Sequence, residues 1–178
     1  MMNYNDIPQY PRAAYEVDVF WNYLDTYIYG KDNDPNTIPL IMEPDYQRGH
    51  VWSQEQQIAY VEYGMMGGEN SMHITTNCPG WMRDFRGPYE LVDGLQRVTA
   101  VLKFMRNELP IFGGHYRKDF TGVHRSHLTS FKWRVLNLPT RKEVLNLYLL
   151  LNTGGVVHSS EEIARVRKLL EQEHKENE

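Results

Sequence analysis

Tyr89-Glu90-Leu91-Val92-Asp93-Gly94-Leu95-Gln96-Arg97-Val98-Thr99-Ala100 is the stretch from which the fold can be read. Tyr89 to Val92 reads as a short strand that runs into a turn at Asp93-Gly94. After the turn, Leu95, Val98, Leu102, Met105 and Leu109 recur along one face of a helix, which Pro110 stops. A helix N-terminus presents unpaired N–H groups and a partial positive charge, so phosphate is its natural guest. Gly94 lets the backbone turn sharply and come close to a ligand. Gln96 and Arg97, in the first helical turn, are placed to reach a phosphate or a base. Asp93, at the strand end, is the candidate to hold a metal ion or to orient a water or hydroxyl. On the residues alone a plain turn stays open as well, with Asp93 as an N-cap and Arg97 as a surface charge.

Outward from this turn the chain reads as mixed α+β. Val17, Phe20, Leu24, Tyr27 and Ile28 fall at helical spacing and predict an amphipathic helix over residues 16–29, followed by a linker-like Lys31 to Asn36 and a short strand from Ile38 to Met42. Pro44 to Trp52 is a polar loop. Ser53-Gln54-Glu55-Gln56 has capping-box spacing and opens a helix that Gly67-Gly68 ends. Residues 71–78 read as a strand and Pro79-Gly80 as a turn. Residues 111–127 read as irregular and basic, and 128–138 as extended. Thr140 to Glu143 is another capping box, opening an apolar helix to Leu151. Asn152-Thr153-Gly154-Gly155 forms a loop, and a last amphipathic helix starts at Ser159-Ser160-Glu161-Glu162.

The chain has 178 residues, the size of one domain, with 41% hydrophobic and 24% charged residues, as in ordinary globular proteins. No apolar run approaches the roughly 20 residues of a membrane helix, so no membrane partner is expected. The N-terminal residues lack the pattern of a secretory signal and Cys78 is the sole cysteine, which together suggest a cytoplasmic protein. The net charge of −4 hides an asymmetry: residues 1–82 carry 3 basic against 11 acidic side chains, residues 83–142 carry 12 against 5, and residues 143–178 carry 4 against 7. The basic middle third is either a footprint for phosphate-bearing partners such as DNA, with Arg117, Lys118 and Arg125 as contacts, or a solvated face. Trp81, Trp133, Tyr116 and Phe120 are candidates for stacking on unpaired bases or for aromatic core. His115, His124 and His127 lack recognised metal-ligand spacing.

Three separated stretches resemble the family that forms the N-terminal part of the GmrSD-type modification-dependent restriction enzymes, within the ParB/sulfiredoxin-like superfamily. Pro44-Asp45-Tyr46-Gln47-Arg48 with Val51-Trp52 is similar to that family's aromatic-Gln-Arg motif ahead of a Trp. Tyr89 to Ala100 resembles its Asp-Gly-Gln-Gln-Arg signature, and Gly94-Leu95-Gln96-Arg97-Val98-Thr99-Ala100 also fits the Gly-x-x-Arg-x-x-Ala spacing of ParB nucleotide-binding segments. Leu151 to Gly155, with Ser159 and Glu162 behind, is similar to its Asn-x-Gly loop.

The resemblance implies a small mixed sheet flanked by helices, forming one domain over residues 1–178 with its motifs in residues 38–170. It implies a nucleotide pocket of Asp93, Gly94, Gln96 and Arg97, closed by Gln47 and Arg48 and completed by Asn152. Asp93, Gln96 and Arg97 would carry catalysis, and Asp93 would hold Mg with a nucleoside triphosphate. The implied activity is hydrolysis or transfer of an NTP phosphoryl group linked to DNA modification, restriction or anti-restriction. The alternative is a non-catalytic module that senses a nucleotide or modified DNA, or a decoy for a host defence complex, acting through a partner protein such as a nuclease or defence-complex subunit. Two departures bear on this. Leu95 stands where the family signature has its first Gln, which separates binding from turnover, and the chain's length leaves no room for the family's nuclease domain, so cutting would need a partner chain.

Overall fold

The computed structural model describes residues 3–4, 7, 9–30, 38–122, 129–153 and 160–176. It is a mixed α+β fold. Four strands, β1 (Tyr15–Phe20), β2 (His73–Asn77), β3 (Glu90–Asp93) and β4 (Ser130–Leu136), form one sheet in the order β1-β4-β2-β3. β2 and β4 run parallel, and the two outer pairings are antiparallel. The helices are α1 (Leu24–Tyr29), α2 (Gln54–Met65), α3 (Leu95–Met105), α4 (Arg141–Thr153) and α5 (Ser160–Glu176).

The helix expected over residues 16–29 is corrected: its first half is β1, a short 3-10 turn follows at Trp21–Tyr23, and only α1 is α-helical. The reason lies in an alternation that the helical spacing obscured. Val17 and Val19 turn toward the core, while Glu16 and Asp18 stand opposite Arg134 and Lys132 of β4 in the antiparallel register. The ion pairs Arg134–Glu16 and Lys132–Asp18, each 2.7 Å, close across the strands. β-branched residues with opposite charges facing each other fit a pleated surface better than a helix. The strand expected from Ile38 to Met42 reduces to one bridge, at Ile41, where Ile41 N–H donates to Tyr89 O at 2.8 Å and Leu91 N–H donates to Ile41 O at 3.0 Å.

Both capping boxes form. Gln56 N–H donates to Ser53 Oγ (3.3 Å) while Ser53 N–H donates to Gln56 Oε1 (2.9 Å), and Thr140 and Glu143 exchange the same pair of bonds at α4. Successive residues of a strand point to opposite faces, so Leu91 and Val92 in β3, and Val135 and Leu136 in β4, feed two cores. Leu91 and Val135 join Trp21, Ile74, Phe104 and Trp133 in a core beneath α1, α2 and α3, whereas Val92 and Leu136 join Tyr46, Leu145, Tyr148 and Val166 beneath α4 and α5.

Glu90 lies on the α4 side and is 7% exposed. Tyr46 Oη donates to its Oε2 at a long 3.4 Å, and Arg141 lies near. Burial holds the Glu90 carboxyl above its ordinary value of 4.5. A carboxyl raised in the folded state favours folding below the unfolded value, and that contribution is lost as pH rises through the folded one. Glu90→Gln is therefore expected to be more stable than the parent at pH 7, with the advantage gone below about pH 4.5. Urea denaturation of both proteins at the two pH values checks this; an equal gap at both would show that charge burial is not the cause.

Candidate functional site

The β3-turn-α3 unit builds the floor of the site. Gly94 sits at φ 115°, in the left-handed region, as the N-cap of α3. A Cβ there would stand 2.5 Å from Ile74 Cδ1, so only glycine allows β3 to turn into α3 while lying on β2. No side chain among the described residues caps α3, which leaves its first-turn N–H groups to other partners. One turn apart, Arg97 and Asp93 form an ion pair: Arg97 Nη2 donates to Asp93 Oδ2 at 2.5 Å, with the side chains 16% and 37% exposed. Arg97 Nη1 also donates to Ser71 O at 3.2 Å.

The loop from Pro44 to Trp52 forms one wall and is held from three directions. Gln47 Nε2 donates to Leu91 O (3.1 Å) and Val92 O (2.9 Å), satisfying carbonyls on the outer edge of β3. Gln96 Oε1 accepts from Val51 N–H (2.9 Å) and Trp52 N–H (3.1 Å), and its Nε2 donates to Gly49 O (3.3 Å). From α5, Arg165 Nη2 donates to Tyr46 O (3.2 Å) and Gln47 O (2.8 Å). Within the loop, burial depresses the His50 imidazole below its usual value, with Lys103 adding to the effect. The opposite wall is the end of α4. Its helix runs through Thr153, so Asn152 belongs to the last turn rather than to a loop, and its Nδ2 donates to Tyr148 O at 2.6 Å.

These three parts surround a cavity of about 440 Å³. Gln47, Arg48, Asp93, Gly94, Gln96, Arg97 and Asn152 all border it, so the structure brings together the seven residues that the three motifs supplied. It also brings Trp52 of the first motif to the cavity, together with walls that the sequence did not reveal: Tyr60, Ser71 and Tyr148. Trp52 and Tyr60 lie 5.3 Å apart, and the Tyr60 hydroxyl, raised in pKa by burial, donates to Ser71 O at 3.0 Å. Leu95 also borders the cavity but is 3% exposed and packed in the core. Gly154, Gly155 and Ser159 of the third motif lie outside the described residues.

The Gln96 amide, expected to touch a ligand, is engaged by the loop through both its oxygen and its nitrogen. Its truncation, Gln96→Ala, leaves two backbone N–H groups and one carbonyl without that partner, and each such bond contributes about 0.5–1.5 kcal/mol. Gln96→Ala is expected to lose about 1–3 kcal/mol of stability and to speed amide exchange at Val51 and Trp52. Unchanged exchange there would show that the loop holds itself.

The basic middle third is not one open cationic face. Lys132, Arg134, Arg106 and Arg141 pair with Asp18, Glu16, Asp25 and Asp45 from the acidic first third, and Arg86 and Arg97 pair with acids of their own stretch. Much of the asymmetry is thus internal neutralisation. Arg117 and Lys118 lie apart from the cavity, in a 3-10 turn beyond the far end of α3, about 16 Å along its axis. This tip is well fixed, since Lys118 N–H donates to Asn107 Oδ1 at 2.7 Å and His115 N–H to Ile111 O at 2.8 Å. Arg125, His124 and His127 lie outside the described residues. Trp133 is fully buried and Phe120 packs on the core, whereas Tyr116 is 36% exposed.

Among the described residues no three His, Cys, Asp or Glu side chains are grouped to hold a metal, and no helix is long and apolar enough to cross a membrane. Comparison with protein-family models, with curated proteins and with solved structures found no match.

Proposed function

We propose that this chain is a nucleotide-binding domain of ParB/sulfiredoxin-like architecture, in which the cleft between β3-α3, the 44–52 loop and the end of α4 takes the phosphates of a nucleoside triphosphate. The observation that carries the reading is the convergence of Arg48, Arg97 and the uncapped N-terminus of α3 on one cavity whose other walls are the rings of Trp52, Tyr60 and Tyr148. Cations and backbone N–H groups suit phosphate oxygens, and rings suit a base or sugar. A divalent cation fits this donor set in one way only. Mg takes one or two carboxylates plus phosphate oxygens and water, and among the described residues Asp93 is the single carboxylate on the cavity. Mg would arrive with the triphosphate and neutralise charge that develops on its oxygens.

Phosphoryl hydrolysis is the chemistry this cleft would support: water bonds to the terminal phosphorus as the bridging P–O bond breaks, giving the diphosphate and inorganic phosphate. Arg97 and the α3 N-terminus would hold the phosphate charge, and Asp93 would orient the water. The second reading, a module that binds nucleotide without turnover and signals through a partner protein, is favoured by the tie of Asp93 to Arg97 and by an apolar Leu95 on the wall.

A thermal-shift panel of the four ribonucleoside triphosphates with Mg tests binding. At a hundredfold excess over Kd a ligand of the folded state adds about 2.7 kcal/mol, or about 5–10 °C in a chain of this size. No shift with any of them removes the proposal. Phosphate release from the same mixtures then separates the enzyme from the sensor.

An association with DNA, in a restriction or anti-restriction setting, draws its support from the fixed tip that presents Tyr116, Arg117 and Lys118. Replacing Arg117 and Lys118 together by Gln is expected to lower the slope of log affinity against log salt by about two, one for each phosphate contact. An unchanged slope would show that this tip makes no phosphate contact.

A further inference from the structure

We infer that a second site, distinct from the nucleotide cleft, takes an unpaired base of single-stranded nucleic acid among the aromatic rings of the loop between β2 and β3. Trp81 is the hub of this cluster, with the rings of Tyr15, Phe85 and Tyr89 at 5.9, 5.4 and 5.4 Å. Beside them opens a cavity of about 660 Å³, lined by Tyr15, Tyr27, Trp81, Arg83, Phe85 and Tyr89 among others, a size suited to a small organic ligand. It shares no lining residue with the cleft.

The backbone presents this cluster at a conformational cost. Phe85 has φ 44°, in the left-handed region that bulky side chains disfavour. The loop fixes it there: Phe85 N–H donates to Gly80 O at 3.0 Å, and Gly80 N–H donates to Asn137 Oδ1 at 2.7 Å. Burial does not offset the strain, because the Phe85 side chain is 47% exposed, beside Tyr15 at 41% and Met82 at 67%. Strain held at an exposed ring is accounted for by a ligand that covers it.

The chemistry of the walls selects that ligand. Clustered rings accept another flat π system. Among the described residues Arg83 is the one charged side chain on the cavity and no carboxylate borders it, which opposes a quaternary ammonium guest and favours an anionic one. Asp84 does not reverse the sign, since Arg86 pairs with it at 2.6 Å. A nucleotide unit joins a flat ring to a phosphate, and Trp81, Arg83 and Phe85, at alternate positions of one loop, supply a counterpart to each. Tyr15, the first residue of the outer strand β1, lines the cavity and is 41% exposed, so the site lies at the edge of the sheet, where a nucleic-acid strand has access.

Anisotropy of a labelled 12-nucleotide single strand, a duplex of the same sequence and a free mononucleotide, each titrated with the full chain, tests the inference. The single strand is expected to bind tighter than both others. Stacking lost on alanine substitution corresponds to about five- to 150-fold in affinity per base, so Phe85→Ala should weaken single-strand binding within that range, and Arg83→Gln should lower its salt slope by about 0.7. Phe85→Gly separates ligand contact from packing: glycine accepts the left-handed backbone, so this variant should melt at or above the parent temperature and still lose the single-strand preference. Its thermal shift with nucleoside triphosphates should equal the parent's, so failure here and failure of the cleft are told apart. Equal binding of single strand and duplex, or a Phe85→Gly protein that melts lower and binds single strand as the parent does, overturns the site. Binding of an aromatic peptide with no binding of either oligonucleotide would overturn it too, making the groove a protein-docking surface.

Discussion

Gly94→Ala is expected to lower the free energy of unfolding by about 2–5 kcal/mol, a large part of the roughly 5–15 kcal/mol that stabilises a typical domain. A side chain in a left-handed conformation costs about 1–2 kcal/mol, and Gly94 sits at φ 115°. The added methyl would also stand 2.5 Å from Ile74 Cδ1. Ile74 is fully buried on β2, so it yields only by pushing on its neighbours, and overpacking of this kind adds about 1–3 kcal/mol. Gly94→Ala also shifts the first turn of α3, and with it Arg97, so nucleotide binding should fall even in the protein that remains folded. Urea denaturation with an unchanged m-value checks the first part. A loss below about 1 kcal/mol would mean that Gly94 is neither held in the left-handed conformation nor pressed against Ile74.

The second large effect is expected from Arg97→Ala. If its guanidinium holds ligand phosphate through charge-assisted hydrogen bonds, truncation removes about 1.5–3 kcal/mol of binding, or about ten- to a hundredfold in affinity. Arg97→Lys should restore only part, because a point charge does not reproduce the planar fork. The sequence alone suggests that stability would hardly move. The structure changes that expectation, since Arg97 is 16% exposed and tied to both Asp93 and Ser71 O. A cost of about 1 kcal/mol is expected, at the upper end for a partly exposed pair. Binding must therefore be compared well below the melting temperature, where both proteins are folded.

The strand-turn-helix at Glu90 to Met105 was legible because three local signals agree there: an apolar run, a glycine and a helical stripe. Its end was not, since α3 stops at Met105, with Asn107 at φ 61°, and Leu109 and Pro110 lie beyond the helix. The capping boxes at Ser53 and Thr140 were legible for the same reason, since their partners lie three residues away. β1 was not, because Val17, Phe20 and Leu24 satisfy a helical period as well as Val17 and Val19 satisfy a strand period. What decides between them is Arg134 and Lys132, more than a hundred residues on, which face Glu16 and Asp18. The same long-range pairing hid the meaning of the basic third.

Within the cleft, the residues named from motifs border one cavity, but their division of labour was not legible. Gln96 turns inward to hold the 44–52 loop, and Gln47 closes the edge of β3. Arg165, which fastens that loop from α5, gave no signal among the charged residues of a surface helix. Tyr60 and Tyr148 lie within α2 and α4 and match none of the three motifs, and only the packing of these helices against β3-α3 turns them toward the site.

The claim that this cleft binds nucleotide phosphates is tested most directly by calorimetric titration of Mg-bound nucleoside triphosphates into the parent chain and into Arg97→Ala, at a temperature where both are folded. The account predicts saturable binding to the parent and affinity about ten- to a hundredfold weaker for Arg97→Ala. A parent that binds none of the triphosphates, or an Arg97→Ala protein that binds as tightly as the parent, would contradict it.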